Sequence, residues 1–168
     1  VTLGNGVTYN GASLAAAAVT APFIDSETAG LPGADATAVR LCYAAVDNGG
    51  TAVLDPAKVA GKIVLCDRGV TARVNKSLAV LEAGGVGMVL FNSPDSSLNA
   101  YFHFVPTVHV SLASGTAIKA YAATAGATES TQVYRMRLGE LDPYSNFVKG
   151  SVFQTQEVSD ASVNLERH

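Results

Sequence analysis

Apolar residues along this chain gather in short continuous runs, separated by glycine, proline and polar punctuation. Lys62–Cys66, Val86–Phe91 and Val105–Val110 are apolar over most of their length, the pattern of strands buried on both faces. Pro106 stands near the start of the third run, where proline is tolerated. Between the first two runs the period turns helical. Over Thr71–Ala83, Val70, Val74, Leu78 and Leu81 share one face, while Arg73, Lys76 and Glu82 point elsewhere. Gly84-Gly85 ends that helix, because glycine accepts the left-handed conformation at a helix C-terminus without steric cost. The order strand–helix–strand predicts a β-α-β unit with parallel strands. Ala-rich Leu112–Ala125, with Ile118 and Tyr121 as its larger apolar residues, predicts a second helix capped by Gly126.

The flanks are less regular. Val1–Leu3 and Val7–Tyr9 surround Gly4-Asn5-Gly6 and predict a hairpin. Ala12–Ile24 fits a strand or a short helix, although Pro22 argues against a helix running through it. Asp25–Asp35 reads as a loop and Val39–Tyr43 as a strand, followed by the loop Asp47–Gly50. Asp55 and Pro56 have the cap and first-position chemistry of a helix start, and Gly61 stops that single turn. Asn92–Phe104 predicts a polar loop with an aromatic end. Thr131–Leu138 and Phe147–Val158 alternate as strands do.

With 168 residues the chain is the size of one domain, and 48% hydrophobic residues suffice for a core, which excludes general disorder. Eleven basic against fourteen acidic residues give a net charge of −3, without the basic footprint of a nucleic-acid binder. Only 15% of residues are charged, a composition that suits an extracellular setting. The longest apolar run, Leu14–Val19, is far short of the ~20 residues that span a bilayer, so no membrane partner is expected. Val1–Gly11 has neither the basic nor the apolar region of a secretory leader. An opening on Val1 rather than Met suggests a piece of a larger protein.

Candidate chemistry is sparse. Gly84-Gly85-x-Gly87 closes a helix and enters a strand, the reverse of a phosphate loop. No Gly-x-Ser-x-Gly elbow occurs. His109 reads as a satisfied strand histidine and His168 is terminal. His103 and His109 are six apart, which suits no chelating geometry, and the acidic loops at Asp25 and Asp47 do not follow a calcium template. No catalytic residue, metal or cofactor is expected. Asp67-Arg68-Gly69 leaves a buried strand at the sheet edge where α/β ligands bind. There Arg68 can pair with a carboxylate, or the segment can be a plain turn with Asp67 accepting backbone N–H groups and Gly69 at positive φ. Cys42 and Cys66 each end a predicted strand. They can form a bridge stabilising the fold by roughly 3 kcal/mol, or remain two buried thiols in a reducing compartment.

Gly61-Lys62-Ile63-Val64-Leu65-Cys66-Asp67-Arg68-Gly69, Arg73-Val74-x-Lys76-Ser77 and Ala83-Gly84-Gly85-Val86-Gly87-Met88-Val89-Leu90-Phe91-Asn92 together resemble the protease-associated (PA) domain inserted in secreted subtilisin-like serine proteases. Val105-Pro106-Thr107-Val108-x-Val110-Ser111 continues the likeness, and Cys42 and Cys66 resemble the cysteine pair of many such domains. The likeness covers about residues 1–126. It leaves 127–168 as a C-terminal extension, β-hairpin strands or a tail, without the family's Gly-Thr-Ser-Met nucleophile segment. It implies a swivelling β/β/α fold, with a β-sheet barrel or sandwich core and two flanking helices. It also implies a secreted, non-catalytic domain of a serine endopeptidase that binds or gates polypeptide substrate, packs on the protease catalytic domain or forms a homodimer. The candidate contacts are Arg68 at the sheet edge and Asn92, Tyr101, Phe102, His103 and Phe104 on the aromatic-ended loop, since aromatic anchors bind at low entropic cost.

Overall fold

The computed structural model describes residues 1–125 and 130–133. Its centre is a mixed sheet in the order β4-β3-β2-β1-β5. The strands are β1 (Val19–Asp25), β2 (Ile63–Asp67), β3 (Gly87–Phe91), β4 (Thr107–Val110) and β5 (Ser130–Val133). The first four run parallel, and β5 joins β1 antiparallel. Pro22 lies just before the pairing of β1 with β2, which begins at Phe23, and opposite Ser130 at the end of the β1–β5 pairing. The expected hairpin at the N-terminus forms, with Thr2 bridged to Thr8, and Ala12 pairs with His109 to cover part of the β4 edge.

The helices are α1 (Ala36–Arg40), α2 (Pro56–Val59), α3 (Arg73–Glu82) and α4 (Leu112–Ala125), with short 3-10 turns at Ser26–Thr28 and Ala45–Asp47. Residues of β2 and β3 alternate between two cores. Val64, Cys66, Met88 and Leu90 meet Ala79 and Val80 of α3 and Ala83 at its end. Ile63, Leu65, Val89 and Phe91 meet Ile118 of α4 and the N-terminal Val1 and Leu3. Burial on both faces explains the continuous apolar runs. The two predicted helices therefore flank opposite faces of one sheet. Among the described residues β4 and β5 stand at the two ends of that sheet. Phe147–Val158, and Thr131–Leu138 beyond Val133, lie outside the described residues.

Three expectations need correction. Val39–Tyr43 is not a strand. Asp35 caps the chain there by accepting the Ala38 N–H at 2.8 Å, and α1 forms instead. Its end is a Schellman turn, with the Tyr43 N–H on the Ala38 carbonyl and the Cys42 N–H on the Val39 carbonyl. Cys42 takes the left-handed position, at φ 48°, that glycine normally fills. From there it forms a disulfide with Cys66 at the end of β2, so the bridge ties a helix end, not a strand, to the sheet.

The second correction concerns α3. Its buried residues are Lys76, Ser77, Ala79 and Val80, whereas Val70 and Leu81 are exposed. Small residues let the helix approach the sheet closely, so packing rotates it away from its bulkiest apolar stripe. Lys76, expected to point outward, is fully buried. Its Nζ donates to the Leu41 carbonyl at 2.5 Å and Thr71 Oγ1 at 2.9 Å, and lies 5.7 Å from the Tyr43 ring centroid. The third is Asp67, which turns away from the loop's backbone to pair with Arg40. Gly69 does adopt positive φ, as a turn requires, with Leu41 packed where a Cβ would stand.

Candidate functional site

Three parallel strands deliver Asp25, Asp67 and Phe91 to one edge of the sheet. Burying carboxylates there requires counter-charge. Lys119 of α4 supplies it, with Nζ 2.8 Å from Glu27, 3.5 Å from Asp25 and 3.6 Å from Asp67. Arg40 takes the second oxygen of Asp67. Lys119 reaches this position because α4 touches the sheet through Gly115, where any Cβ would stand 2.2 Å from Phe91. Burial works against the charge of Lys119, but the Glu27 hydrogen bond and the Asp25 and Asp67 charges prevail and hold its pKa above the usual lysine value. Burial raises the Asp25 pKa in spite of the Glu27 N–H and Lys119. This cluster sets two cations against three carboxylates and forms an ion-paired support beneath the edge. Among the described residues, no group of three or more His, Cys, Asp and Glu side chains is placed to hold a metal ion.

Beside this support the chain leaves β3 at Asn92 and runs to Phe104. Asn92 is fully buried and organises the first half of the loop. Its Nδ2 donates to the Ser96 carbonyl, and its Oδ1 accepts from His109 Nε2 at 2.9 Å. Nδ1 of His109 lies 3.1 Å from the Asn99 nitrogen and 3.2 Å from the Asn99 carbonyl oxygen, and with Nε2 donating to Asn92 the neutral ring accepts the Asn99 N–H there. Burial lowers the His109 pKa and favours that neutral form. His109 thus has the satisfied strand position its context suggests.

The second half of the loop is fastened to α3. Arg73 donates to the Tyr101 hydroxyl at 2.6 Å, and its guanidinium lies 5.2 Å from the centroid of that ring. One turn on, buried Ser77 donates to the Val74 carbonyl at 2.6 Å and accepts the Phe104 N–H at 3.1 Å. With the hydroxyl proton committed to Val74, His103 Nδ1 at 3.1 Å donates to the same oxygen. Burial pushes the His103 pKa down to about 4. A buried serine whose proton already has an acceptor is a clamp for the loop, not an activated nucleophile.

These fastenings leave large apolar side chains in water. Phe102 is 81% exposed and Val70 87%, with Phe104 and Tyr101 also exposed. Arg68, Gly69 and Val70 form a ridge between two open hollows. One, of about 740 Å³, extends toward Arg40 and Ser93–Ser96. The other, of about 390 Å³, extends toward Arg73 and Tyr101.

Of the residues expected at the site, Arg68 and Asn92 meet at 3.5 Å, the outer limit of a hydrogen bond. Tyr101 shares a hollow with Arg68. His103 turns inward, and Phe102 and Phe104 face solvent. Arg73 and Ser77 were not among the expected contacts, yet they hold the loop. Their spacing of four on α3 is the signal that places them on one face. The Arg40–Asp67–Lys119 cluster joins residues far apart in sequence and leaves no local trace.

The sequence matches the PA domain family over residues 15–118. Curated relatives include three subtilisin-like proteases of Arabidopsis thaliana. SBT1.3 is 48% identical over 51% of this chain and 11% of its own length. SBT1.7 is 40% identical over 73% of this chain and 16% of its own. SBT1.6 is 49% identical over 42% of this chain and 10% of its own. The chain thus spans about a tenth to a sixth of these relatives. Among solved structures, an aminopeptidase from Aneurinibacillus sp. strain AM-1 superposes with a TM-score of 0.46 at 20% identity, over 70% of this chain and 24% of that one.

Proposed function

The chain belongs to the PA domain family, and from that premise we propose that it is the non-catalytic, polypeptide-binding domain of a secreted subtilisin-like serine protease. The observation that carries the proposal is the contrast at the edge of the sheet. A loop fixed from within by Asn92, His109, Arg73 and Ser77 holds Tyr101, Phe102 and Phe104 in water beside exposed Val70. Rigid, exposed aromatic side chains lose little entropy on binding, which is the property of interface anchors. In this reading residues 1–126 form the binding domain, with the swivelling β/β/α core implied by its resemblance. Residues 127–168 are an extension that contributes β5. The disulfide suits an oxidising, extracellular compartment, and no helix of the described residues is long and apolar enough to cross a membrane.

The test is titration of the 168-residue chain with an unfolded polypeptide such as reduced, carboxymethylated casein. Saturable binding that weakens on Phe102→Ser supports the proposal. No binding at millimolar concentration, together with unchanged activity of the parent protease after deletion of the domain, overturns it. The same exposed patch would suit a second copy of the chain or the protease's own catalytic domain. Sedimentation separates the homodimer from the binding domain, since a monomer with affinity for polypeptide supports the first reading.

A further inference from the structure

Arg68 and Arg73 line one hollow, and among the described residues neither pairs with a carboxylate. The other cations around the sheet edge are occupied, Arg40 by Asp67 and Lys119 by Glu27, Asp25 and Asp67. Arg68 makes one long contact, to Asn92. Arg73 is held against the Tyr101 ring with one nitrogen on the phenol oxygen, and its buried Nε has no hydrogen-bond partner. A guanidinium carries five N–H donors, so most of the donors in this hollow are unfilled. Asp95, which lines the adjoining hollow, accepts the Ser96 N–H at 3.1 Å and the Leu112 N–H at 3.5 Å.

From this geometry we infer that the Arg68–Arg73 hollow receives the side-chain carboxylate of a bound polypeptide, so that the domain selects acidic residues flanked by apolar ones. The inference rests on the polypeptide-binding reading above and adds its specificity. Two guanidiniums lining one hollow can each donate to a carboxylate oxygen, and the contacts with Tyr101 position Arg73 before the ligand arrives. Exposed Val70 on the ridge and Phe102 on the loop favour an apolar residue beside the acid. They also argue for polypeptide over a free anion. A net charge of −3 over the whole chain leaves this local positive patch without a wider basic surface that would draw nucleic acid.

Fluorescence anisotropy of the full chain with a labelled peptide alternating Glu and Leu, set against its Gln–Leu counterpart, tests this directly. The Glu peptide should bind at least about tenfold more tightly, as expected for a charge-assisted pair over a neutral one. Arg68→Gln should erase most of that preference with the thermal midpoint unchanged, Arg73→Gln should erase it while also weakening Gln-peptide binding because it releases Tyr101, and Arg73→Lys should retain part of it. Equal affinity for the two peptides overturns the inference and leaves the polypeptide-binding reading standing. Binding of neither peptide removes both. If millimolar acetate displaces the Glu peptide completely and Val70→Ser with Phe102→Ser has no effect, the hollow is only a small-anion site and the inference is wrong.

Discussion

Replacing Lys76 by Met isolates what a buried ammonium does to the stability of this fold. In the folded chain Lys76 is fully buried. Its pKa falls from 10.5 to about 8 because burial strips water from the charge, and the charges of Asp47 and Asp67 only partly oppose the loss. The unfolded chain therefore binds this proton more tightly than the folded one. Below about pH 8 both states carry it and the full penalty is present, about 3 kcal/mol from the size of the shift. As pH rises from about 8 toward 10.5 the folded state sheds the proton first and stability is regained. Met fills a similar volume and does not titrate, while other groups that titrate at alkaline pH cancel in the difference between the two proteins. Met also leaves the Leu41 carbonyl without its donor, which shifts the variant's stability by a constant and does not affect the slope. Urea unfolding of both proteins from about pH 7 to 10 should show the native chain gaining roughly 2–3 kcal/mol relative to Lys76→Met. A difference that stays flat with pH would mean that the ammonium is solvated, and the packing of α3 described here would be wrong.

Other perturbations read the rest of the architecture. Gly115→Ala places a methyl against the Phe91 ring and should cost about 1–3 kcal/mol in urea unfolding, as overpacking does; a neutral result would place α4 further from the sheet. Removing the disulfide, which closes a separation of 24 residues, should cost about 3–4 kcal/mol. The pair Cys42→Gly with Cys66→Ala should be about 1 kcal/mol more stable than Cys42→Ala with Cys66→Ala, since only glycine relieves the left-handed backbone. Asn92→Ala strands His109 Nε2 and the Ser96 carbonyl. It should cost about 1–3 kcal/mol and open residues 93–104 to limited proteolysis under conditions where the native loop resists.

The sheet was legible in the sequence wherever burial on both faces forced continuous apolar runs, at Ile63–Asp67, Gly87–Phe91 and Thr107–Val110. It was not legible at Val39–Tyr43, where a single capping contact from Asp35 outweighs the β propensity of a short segment. The helical period placed α3 but not its rotation. Hydrophobic periodicity weighs side chains by size, whereas this interface is built on Ala79 and Ala83, with Lys76 reaching the Leu41 carbonyl just past α1. At the site, the aromatic end of the loop and Arg68 were visible as residue types leaving a buried strand. The clamp at Ser77 and the Arg73–Tyr101 contact were not, because they join positions 27 and 28 residues apart through folded geometry alone.

Polypeptide contact is proposed for the face formed by residues 68–73 and the loop 92–104. Mapping backbone amide chemical shifts of the ¹⁵N-labelled chain during titration with carboxymethylated casein tests it most directly. Saturable shifts should concentrate at Arg68–Arg73 and Ala100–Phe104, with α2 and the opposite end of the sheet unmoved. An unchanged spectrum at saturating polypeptide, or shifts confined to another face, would contradict it.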